Sequence, residues 1–287
     1  MKRILLVVAL VVIAAIAGIV RSHSKSADFD RLVSHNAADQ VREEIRQSYQ
    51  LAPGASVELA NINGAIRIET ADTKTAEVYV ERFASSQEAL SRRKVTIEAD
   101  ANNLRIRGEK GDMGFFERWF GSSPSEKLTL KLPRQIALHT KGVNGAVSVA
   151  ELDGPVDVRG VNGRVQIAGA NGAAEFKGIN GNITIGLKQL NNDGVVLGGI
   201  NGNIELQLTS GINAEFDAHG INGSVASDLS EVSISRGRHG AYTGQIGTGG
   251  SSVISAKGIN GNIRLTRSTL ASEPSEALIK DKDSKTN

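Results

Sequence analysis

The chain has 287 residues, enough for one elongated domain or two compact ones. Its 33 basic and 31 acidic residues nearly cancel, so its overall charge gives no support for nucleic-acid binding. The lack of cysteine excludes disulfides, thiolate catalysis and cysteine-ligated metals, and 32 glycines with 4% aromatic residues favour many turns around an aliphatic core.

The first 21 residues contain the clearest targeting signal. Two basic residues precede an apolar run, Ile4–Val20, whose length is at the lower limit for crossing a bilayer. A cleaved signal peptide has a shorter apolar stretch and an A-x-A-like cleavage site, which Ala15–Ala17 supplies. Residues 1–21 are therefore predicted to be an apolar helix, either an uncleaved membrane anchor or a cleaved signal peptide. Both alternatives place the rest of the chain outside the cytoplasm. It would be anchored to the cytoplasmic membrane and face the periplasm or cell exterior, or be secreted or periplasmic after cleavage.

A polar stretch and an irregular β region follow. Residues 22–44 predict a spacer with a short helix around Ala38–Glu44. Alternating apolar residues over 45–140 then predict a β layer with irregular loops. Within it, "NING" at Asn61–Gly64 turns the chain between two alternating runs, and Ser85–Lys94 is predicted to form at least one helical turn.

The segment "GFFERWFG", Gly114–Gly121, concentrates aromatic residues in a chain that has few. Clustered aromatic side chains suit a membrane interface or a partner-binding tip. The alternative is a cap that packs on the β layer, since large exposed apolar patches are rare on soluble domains. The candidate residues for either role are Phe115, Phe116, Trp119 and Phe120.

From Lys141 onward a G-Φ-N-G sequence recurs, where Φ is valine or isoleucine. Its first glycine falls at positions 142, 160, 178, 199, 220 and 258, so the spacing is 18 or 21 residues except for a final interval of 38. Other turn signals lie midway, so each unit holds two short strands, and such a period is typical of a solenoid. Because 38 residues is about two units, "HGAYTG" at His239–Gly244 is interpreted as a degenerate copy.

The repeated asparagine–glycine pairs have two interpretations. An antiparallel meander is one, because Asn-Gly also favours hairpins. A β-solenoid is the other: equivalent residues would stack about 4.8 Å apart, so ladders of asparagine and of β-branched residues would form, and the Asn-Gly pair would supply positive φ at a corner. The near-identity of the copies favours the solenoid. The predicted structural corners are Asn144, Gly145, Asn162, Gly163, Asn180, Gly181, Asn201, Gly202, Asn222, Gly223, Asn260 and Gly261.

The predicted fold is therefore all-β. Residues 141–267 are expected to form a single-stranded β-helix-like solenoid with two short strands per coil, preceded by the irregular β region and the N-terminal apolar helix. The polar and charged residues 268–287 predict a disordered tail.

The residue before each repeat is usually basic. Stacked coils would align these residues on one edge, where they could face an anionic surface glycan, a teichoic-acid-like chain or lipid headgroups. The alternative is a solvated turn face on which lysine discourages edge pairing. Gly198 interrupts the series. The basic members are Lys141, Arg159, Lys177, His219 and Lys257.

Catalysis has little support in the sequence. The five histidines show no metal-binding spacing, and the glycine-rich stretch Gly244–Ser252 lacks the order of a phosphate-binding loop. Glu151, Asp153 and Asp157 could pair for glycan cleavage, which rests on an analogy with polysaccharide-active β-helices alone. No catalytic residue, metal site or cofactor is predicted.

Four stretches carry a resemblance to a known family. They are Leu51–Ile68, Lys94–Gly111, Lys127–Ile167 and Gly244–Leu265. Together they resemble the bacterial adhesin-like family of β-strand-repeat proteins, known as domain of unknown function 4097. The resemblance implies export, a β-solenoid-like body and a cell-envelope setting, and it transfers no catalytic residues.

Three functions follow as expectations. The first is a non-enzymatic exported envelope protein of adhesin-like or scaffold type, attached to the membrane through its N-terminal segment and binding an anionic glycan, lipid headgroups or an envelope protein. The second is a sensor of envelope stress that binds a membrane partner. The third is a polysaccharide-active enzyme.

Overall fold

The computed structural model describes residues 40–110 and 124–268, which form two large mixed β-sheets and one short helix. Sheet A has the spatial order β1 (Val41–Gln50), β4 (Thr75–Ala84), β7 (Ser125–Pro133), β3 (Gly64–Ala71), β9 (Val147–Leu152), β11 (Val165–Asn171), β13 (Ile183–Gln189), β15 (Ile204–Leu208), β21 (Ile263–Arg267) and β17 (Val225–Ser227). Sheet B has the order β18 (Val232–Arg236), β19 (Tyr242–Ile246), β16 (Ala214–Asn222), β20 (Val253–Asn260), β14 (Val195–Asn201), β12 (Ala174–Lys177), β10 (Val156–Val161), β8 (Ile136–Val143), β2 (Ala55–Ala60), β6 (Asn103–Lys110) and β5 (Arg93–Ala99). Neither sheet closes on itself, and the prediction of an all-β fold is confirmed.

One large aliphatic core lies between the inward faces of the sheets, and a small separate cluster at the short helix consists of Ala84, Ala89 and Leu90. In β10, for example, Val156 and Val158 are buried whereas Asp157 and Arg159 face outward, which is the alternation that a half-buried strand requires. The Φ residues of the repeats form part of this core: Val143, Val161, Ile179, Ile200, Ile259 and Ile221 are all buried. Aromatic rings are scarce in the core, in keeping with the composition.

In the repeat region the chain passes back and forth between the sheets. Each G-Φ-N-G corner carries it from a strand of sheet B to a strand of sheet A. Equivalent strands of successive repeats then pair in parallel, as β10 does with β8 (Val156 opposite Leu138) and β11 with β9 (Val165 opposite Val147). A meander would pair successive strands antiparallel. The meander interpretation is therefore wrong for these strands.

The repeats do not stack in chain order. The last repeat, β20 and β21, lies between β14 and β16 in sheet B and between β15 and β17 in sheet A. The chain thus forms β16 and β17 first, and its last repeat then inserts between them and the strands of the preceding repeat, β14 and β15. This order accounts for the long final interval of 38 residues.

The return is made through a hairpin. Strand β19 runs antiparallel to both β16 and β18, and this hairpin extends sheet B beyond the last parallel strand. The interpretation of His239–Gly244 as a degenerate repeat is therefore wrong, because a repeat strand would be parallel to its neighbour.

The N-terminal β region is built onto the same sheets. Strands β2 and β3 pair in parallel with β8 and β9, so the turn at Asn61–Gly64 is the first corner of the stack. Helix α1 (Gln87–Ser91) falls within the predicted helical turn, and the Ser86 side chain caps it by accepting from Ala89 N–H at 3.1 Å. The helix expected around Ala38–Glu44 is wrong from Val41 onward. There the chain is already in β1, paired with β4 along its length.

Several predictions fall on residues that are not described. These are the N-terminal helix 1–21, the spacer as far as residue 39, the four aromatic residues of Gly114–Gly121, and the tail from residue 269, and they stay predictions. Within residues 40–110 and 124–268, the helix present has five residues, and none is long and apolar enough to span a bilayer.

Candidate functional site: the corner column and its basic neighbours

The two glycines of each corner have different conformations. In the corner at Gly178–Gly181, the first glycine has φ +65° and the second φ +156°. The same pair of values recurs at the other five corners. Asparagine itself does not have positive φ in any of the six predicted corners. The predicted positive φ is thus confirmed for the glycine of each Asn-Gly pair and wrong for the asparagine.

The second glycine is required by close packing of neighbouring corners. A Cβ atom at Gly181 would lie 2.2 Å from the carbonyl oxygen of Gly163, well inside van der Waals contact. A Cβ atom at Gly178 would meet no atom closer than 3.7 Å, so only its left-handed backbone disfavours a side chain there. The first corner agrees with this distinction, because Asn61, with φ +56°, takes the place of the first glycine.

Alanine substitutions within this one corner should reveal the cost of the close contact, because both glycines have positive φ but only Gly181 has backbone atoms within 3 Å of the added Cβ atom. We expect Gly181→Ala to lower the free energy of unfolding by about 3 kcal/mol, because backbone must shift to relieve the contact. Gly178→Ala should cost about 1 kcal/mol, the usual cost of a left-handed residue with a side chain. Urea denaturation of both variants measures the difference, and equal losses would contradict the packing argument.

The corner asparagines form a continuous hydrogen-bonded ladder. The side-chain Nδ2 of each one except Asn63 donates to Oδ1 of its neighbour, over six contacts of 3.0–3.2 Å, and Asn63 Nδ2 donates to Pro124 O. The spatial order of the ladder is Asn63, Asn144, Asn162, Asn180, Asn201, Asn260 and Asn222. The asparagine ladder expected from the sequence is confirmed, with Asn63 as an additional member.

A buried ion pair covers the first end of this column. Arg93 and Glu126 are 7% and 2% exposed, and the Arg93 guanidinium contacts both the Glu126 carboxylate and the carbonyl oxygen of Asn61. Glu126 Oε2 accepts from Asn63 N–H at 2.9 Å. The terminal corner, which has no further corner beside it, thereby has partners for its backbone groups.

The hairpin covers the other end. Gly240 O accepts from Ile221 N–H at 3.0 Å, and the hydroxyl of Tyr242 donates to Gly223 O at 3.2 Å. Both ends of the column are thus occupied by other parts of the chain, which prevents the open stack from adding a second chain at its corners.

The basic residues before the corners do form one exposed column on sheet B. Register places Arg159 between Lys141 and Lys177, and Lys257 between Gly198 and His219. Gly198 does interrupt the column, and the aliphatic part of Lys177 lies against it, since a Cβ atom there would be 3.3 Å from Lys177 Cγ. All five basic side chains are exposed.

Three of these five side chains have carboxylate partners on the same face. Arg159 lies 2.7 Å from Asp157 and 2.9 Å from Glu175, and Glu175 also contacts Lys177 at 2.6 Å. The acids precede the bases by two residues on the same strand, a spacing that puts them on one face. A similar pair joins His219 Nε2 and Asp217 at 3.0 Å. No carboxylate partner is found among the described residues for Lys141 and Lys257, so these two hold the uncompensated charge of the column.

Two of the three carboxylates considered for glycan cleavage, Glu151 and Asp157, lie on different sheets. Glu151 is on β9 in sheet A, whereas Asp157 is on β10 in sheet B and is engaged with Arg159. Lys188 at 2.9 Å and Arg134 at 3.1 Å hold the pKa of Glu151 below its ordinary value, with the hydrogen bond from Lys188 as the main cause. A general acid needs a raised pKa instead. Glu151 and Asp157 therefore do not form the pair that glycoside hydrolysis requires. Asp153 Oδ1 accepts a hydrogen bond from Asn171 Nδ2 at 2.7 Å.

The glycine-rich stretch Gly244–Ser252 begins in β19 and continues as the turn that leads to β20. Thr248 N–H and its hydroxyl both donate to Asn213 Oδ1, at 2.8 and 2.9 Å, so neither is available to a phosphate. Strand β20 follows, where a phosphate loop would be followed by a helix. Among the described residues no group of three or more histidine, aspartate and glutamate side chains is arranged to hold a metal ion.

Comparisons with known proteins give distant structural likenesses. No family model matches the sequence, and no curated protein does. A "putative cell adhesion protein" from Clostridium sporogenes is 12% identical over 78% of this chain and 100% of its own, with a TM-score of 0.40. A "putative adhesin" from Bacteroides fragilis is 12% identical over 78% and 97%, with a TM-score of 0.33. A "putative lipid binding protein" from Parabacteroides distasonis is 10% identical over 80% and 97%, with a TM-score of 0.28. Because these likenesses are so distant, the function is inferred below from the geometry of this chain.

Proposed function

We propose that this protein is a non-enzymatic, exported β-solenoid that works as an adhesin-like or scaffold surface in the bacterial cell envelope. The N-terminal apolar segment would attach it to the membrane or direct its secretion. The observation that carries the proposal is the outward face of sheet B, where strands in parallel register repeat the same side chains.

The outward face of sheet B, which repeats the same side chains, is suited to a polymer with a repeating structure. Parallel strands place equivalent residues about 4.8 Å apart, so one kind of side chain recurs at a fixed interval along the stack. Lys141, Arg159 and Lys177 stand on three consecutive strands in this way. An anionic glycan is a polymer whose charges also recur, and it could contact several of these side chains at once.

Retention on anionic glycans tests the proposal with paired variants. The variant Lys141→Ala/Arg159→Ala/Lys177→Ala should reduce retention of the protein on an array of anionic polysaccharides about tenfold, because three cations are removed. The variant Asp157→Asn/Glu175→Gln should increase it, because it releases Arg159 and Lys177 from their ion pairs. If both variants bind like the parent protein, the face is not the binding surface.

A further inference from the structure

The hairpin β18–β19 ends in a turn of unusual composition. Ala241 N–H donates to Arg238 O at 3.1 Å, and the two residues between them, His239 and Gly240, have φ +56° and +69°. Positive φ at both central positions defines a type I′ turn, in which Asn-Gly is the preferred pair. Histidine in the first position is strained by roughly 1 kcal/mol, and such strain is most often kept where the side chain has a use.

The turn presents unused hydrogen-bond donors. Gly237 N–H and Ala241 N–H are engaged within the hairpin, but the N–H groups of His239 and Gly240 have no acceptor among the described residues. Successive free N–H groups in a turn of this kind form a concave site for an anion. The exposed guanidinium of Arg238 has no carboxylate partner within the described part of the chain.

The turn adjoins the end of the basic column. The contact between Ile221 N–H and Gly240 O places it beside the last corner, and the neighbouring residues His219 and Lys257 are in register on the outward face. Arg236, at the base of the turn, lies over the Tyr242 ring at 5.7 Å. Other cations at this end are paired: Arg264 with Asp228 at 2.7 Å, and Arg267 with Glu231. A local excess of positive charge is left at the turn.

We propose that Arg238, His239 and the free N–H groups of the turn bind the sulfate or phosphate group of an anionic polymer, and that Lys257, two strands away beyond His219, contacts a further charge of the same polymer. A guanidinium matches such an oxyanion with two parallel hydrogen bonds, while the ammonium group of Lys257 adds a point charge. This proposal rests on the proposed function in one respect, because it assumes that the ligand is an anionic polymer outside the cell. It locates binding at one end of the stack, on residues outside the column proposed from the sequence except for Lys257.

Binding of the full chain to dextran sulfate and to polyphosphate, with uncharged dextran as the blank, tests the site and distinguishes the two oxyanions. Arg238→Gln should weaken binding about tenfold, the effect of losing hydrogen bonds to a charged group. His239→Asn should also weaken binding while keeping or raising resistance to urea, because asparagine is favoured in the type I′ turn. Lys74→Gln, which removes an exposed cation from the turn between β3 and β4, is the matched control and should stay within about twofold of the parent.

Two results would overturn the site. Equal losses for Arg238→Gln and Lys74→Gln would mean that the polymer is attracted by overall charge alone. A parent protein that binds neither polymer, yet is retained on the glycan array described above, would remove the turn site while leaving the adhesin-like proposal in place.

Discussion

Replacing Ile259 by alanine is expected to lower the free energy of unfolding by about 4 kcal/mol, towards the upper end of the range for isoleucine in a core. Ile259 belongs to the last repeat in the chain but lies between Ile200 and Ile221 in the stack, and it is 1% exposed. Its neighbours on both sides are fixed by parallel ladders, so the cavity left by the substitution cannot collapse.

Ile221→Ala is the matched control, because it changes the equivalent position in the copy of the repeat that lies at the end of the stack. Ile221 is 6% exposed and has a repeat on one side only, so its loss should cost about 2 kcal/mol. Urea denaturation gives both values, and Ile200→Ala should behave like Ile259→Ala. A larger loss at Ile221 than at Ile259 is the result that stacking in chain order predicts, and it would contradict the inserted position of β20.

Replacing Glu126 by alanine should lower the free energy of unfolding by about 3–5 kcal/mol, the usual cost of leaving a buried charge without its partner. Here the unpaired group is the Arg93 guanidinium, which is itself buried. The substitution also removes the acceptor of Asn63 N–H at the end of the corner column. We therefore expect both a loss of stability and faster amide exchange at Asn63.

The pair should behave as one unit in a double-mutant cycle. Arg93→Ala/Glu126→Ala should cost clearly less than the sum of the two single variants, because neither charge is then left buried alone. Additive losses would show that the two residues act separately. Glu126→Gln, which keeps an acceptor for Asn63 N–H but not the charge, should fall between the parent and Glu126→Ala.

Much of the fold could be predicted because it repeats. The spacing of the G-Φ-N-G corners, the buried Φ residues and the asparagine ladder all follow from one local unit placed beside copies of itself. The basic column could be predicted for the same reason. Its ion pairs were missed although the sequence contains a signal for them: Asp157, Glu175 and Asp217 each precede a basic residue by two positions, which puts both charges on one face of a strand.

The turn at residues 238–241 was mistaken for a repeat. Its glycine spacing fits the period, but positive φ at His239 and Gly240 makes a hairpin turn, and the strand that follows pairs antiparallel with β16. Glycine spacing alone does not distinguish a corner between sheets from a turn within one sheet. The two are distinguished by the strand with which the next strand pairs, and that partner is distant in sequence.

The sequence by itself determined the unit of this protein: an all-β chain whose G-Φ-N-G corners recur at intervals of mostly 18 or 21 residues, each with an inward aliphatic residue and an asparagine that stacks on its equivalents. Only the tertiary structure decided the order of the units. "KGINGNI" stands at both Lys177–Ile183 and Lys257–Ile263, so either copy offers a neighbour the same ladder and the same core residues. The contacts between neighbouring corners would therefore be the same in several stacking orders. The connection from β15 to β16, the hairpin β18–β19 and the capping pair Arg93–Glu126 select one of them through contacts between residues far apart in the chain.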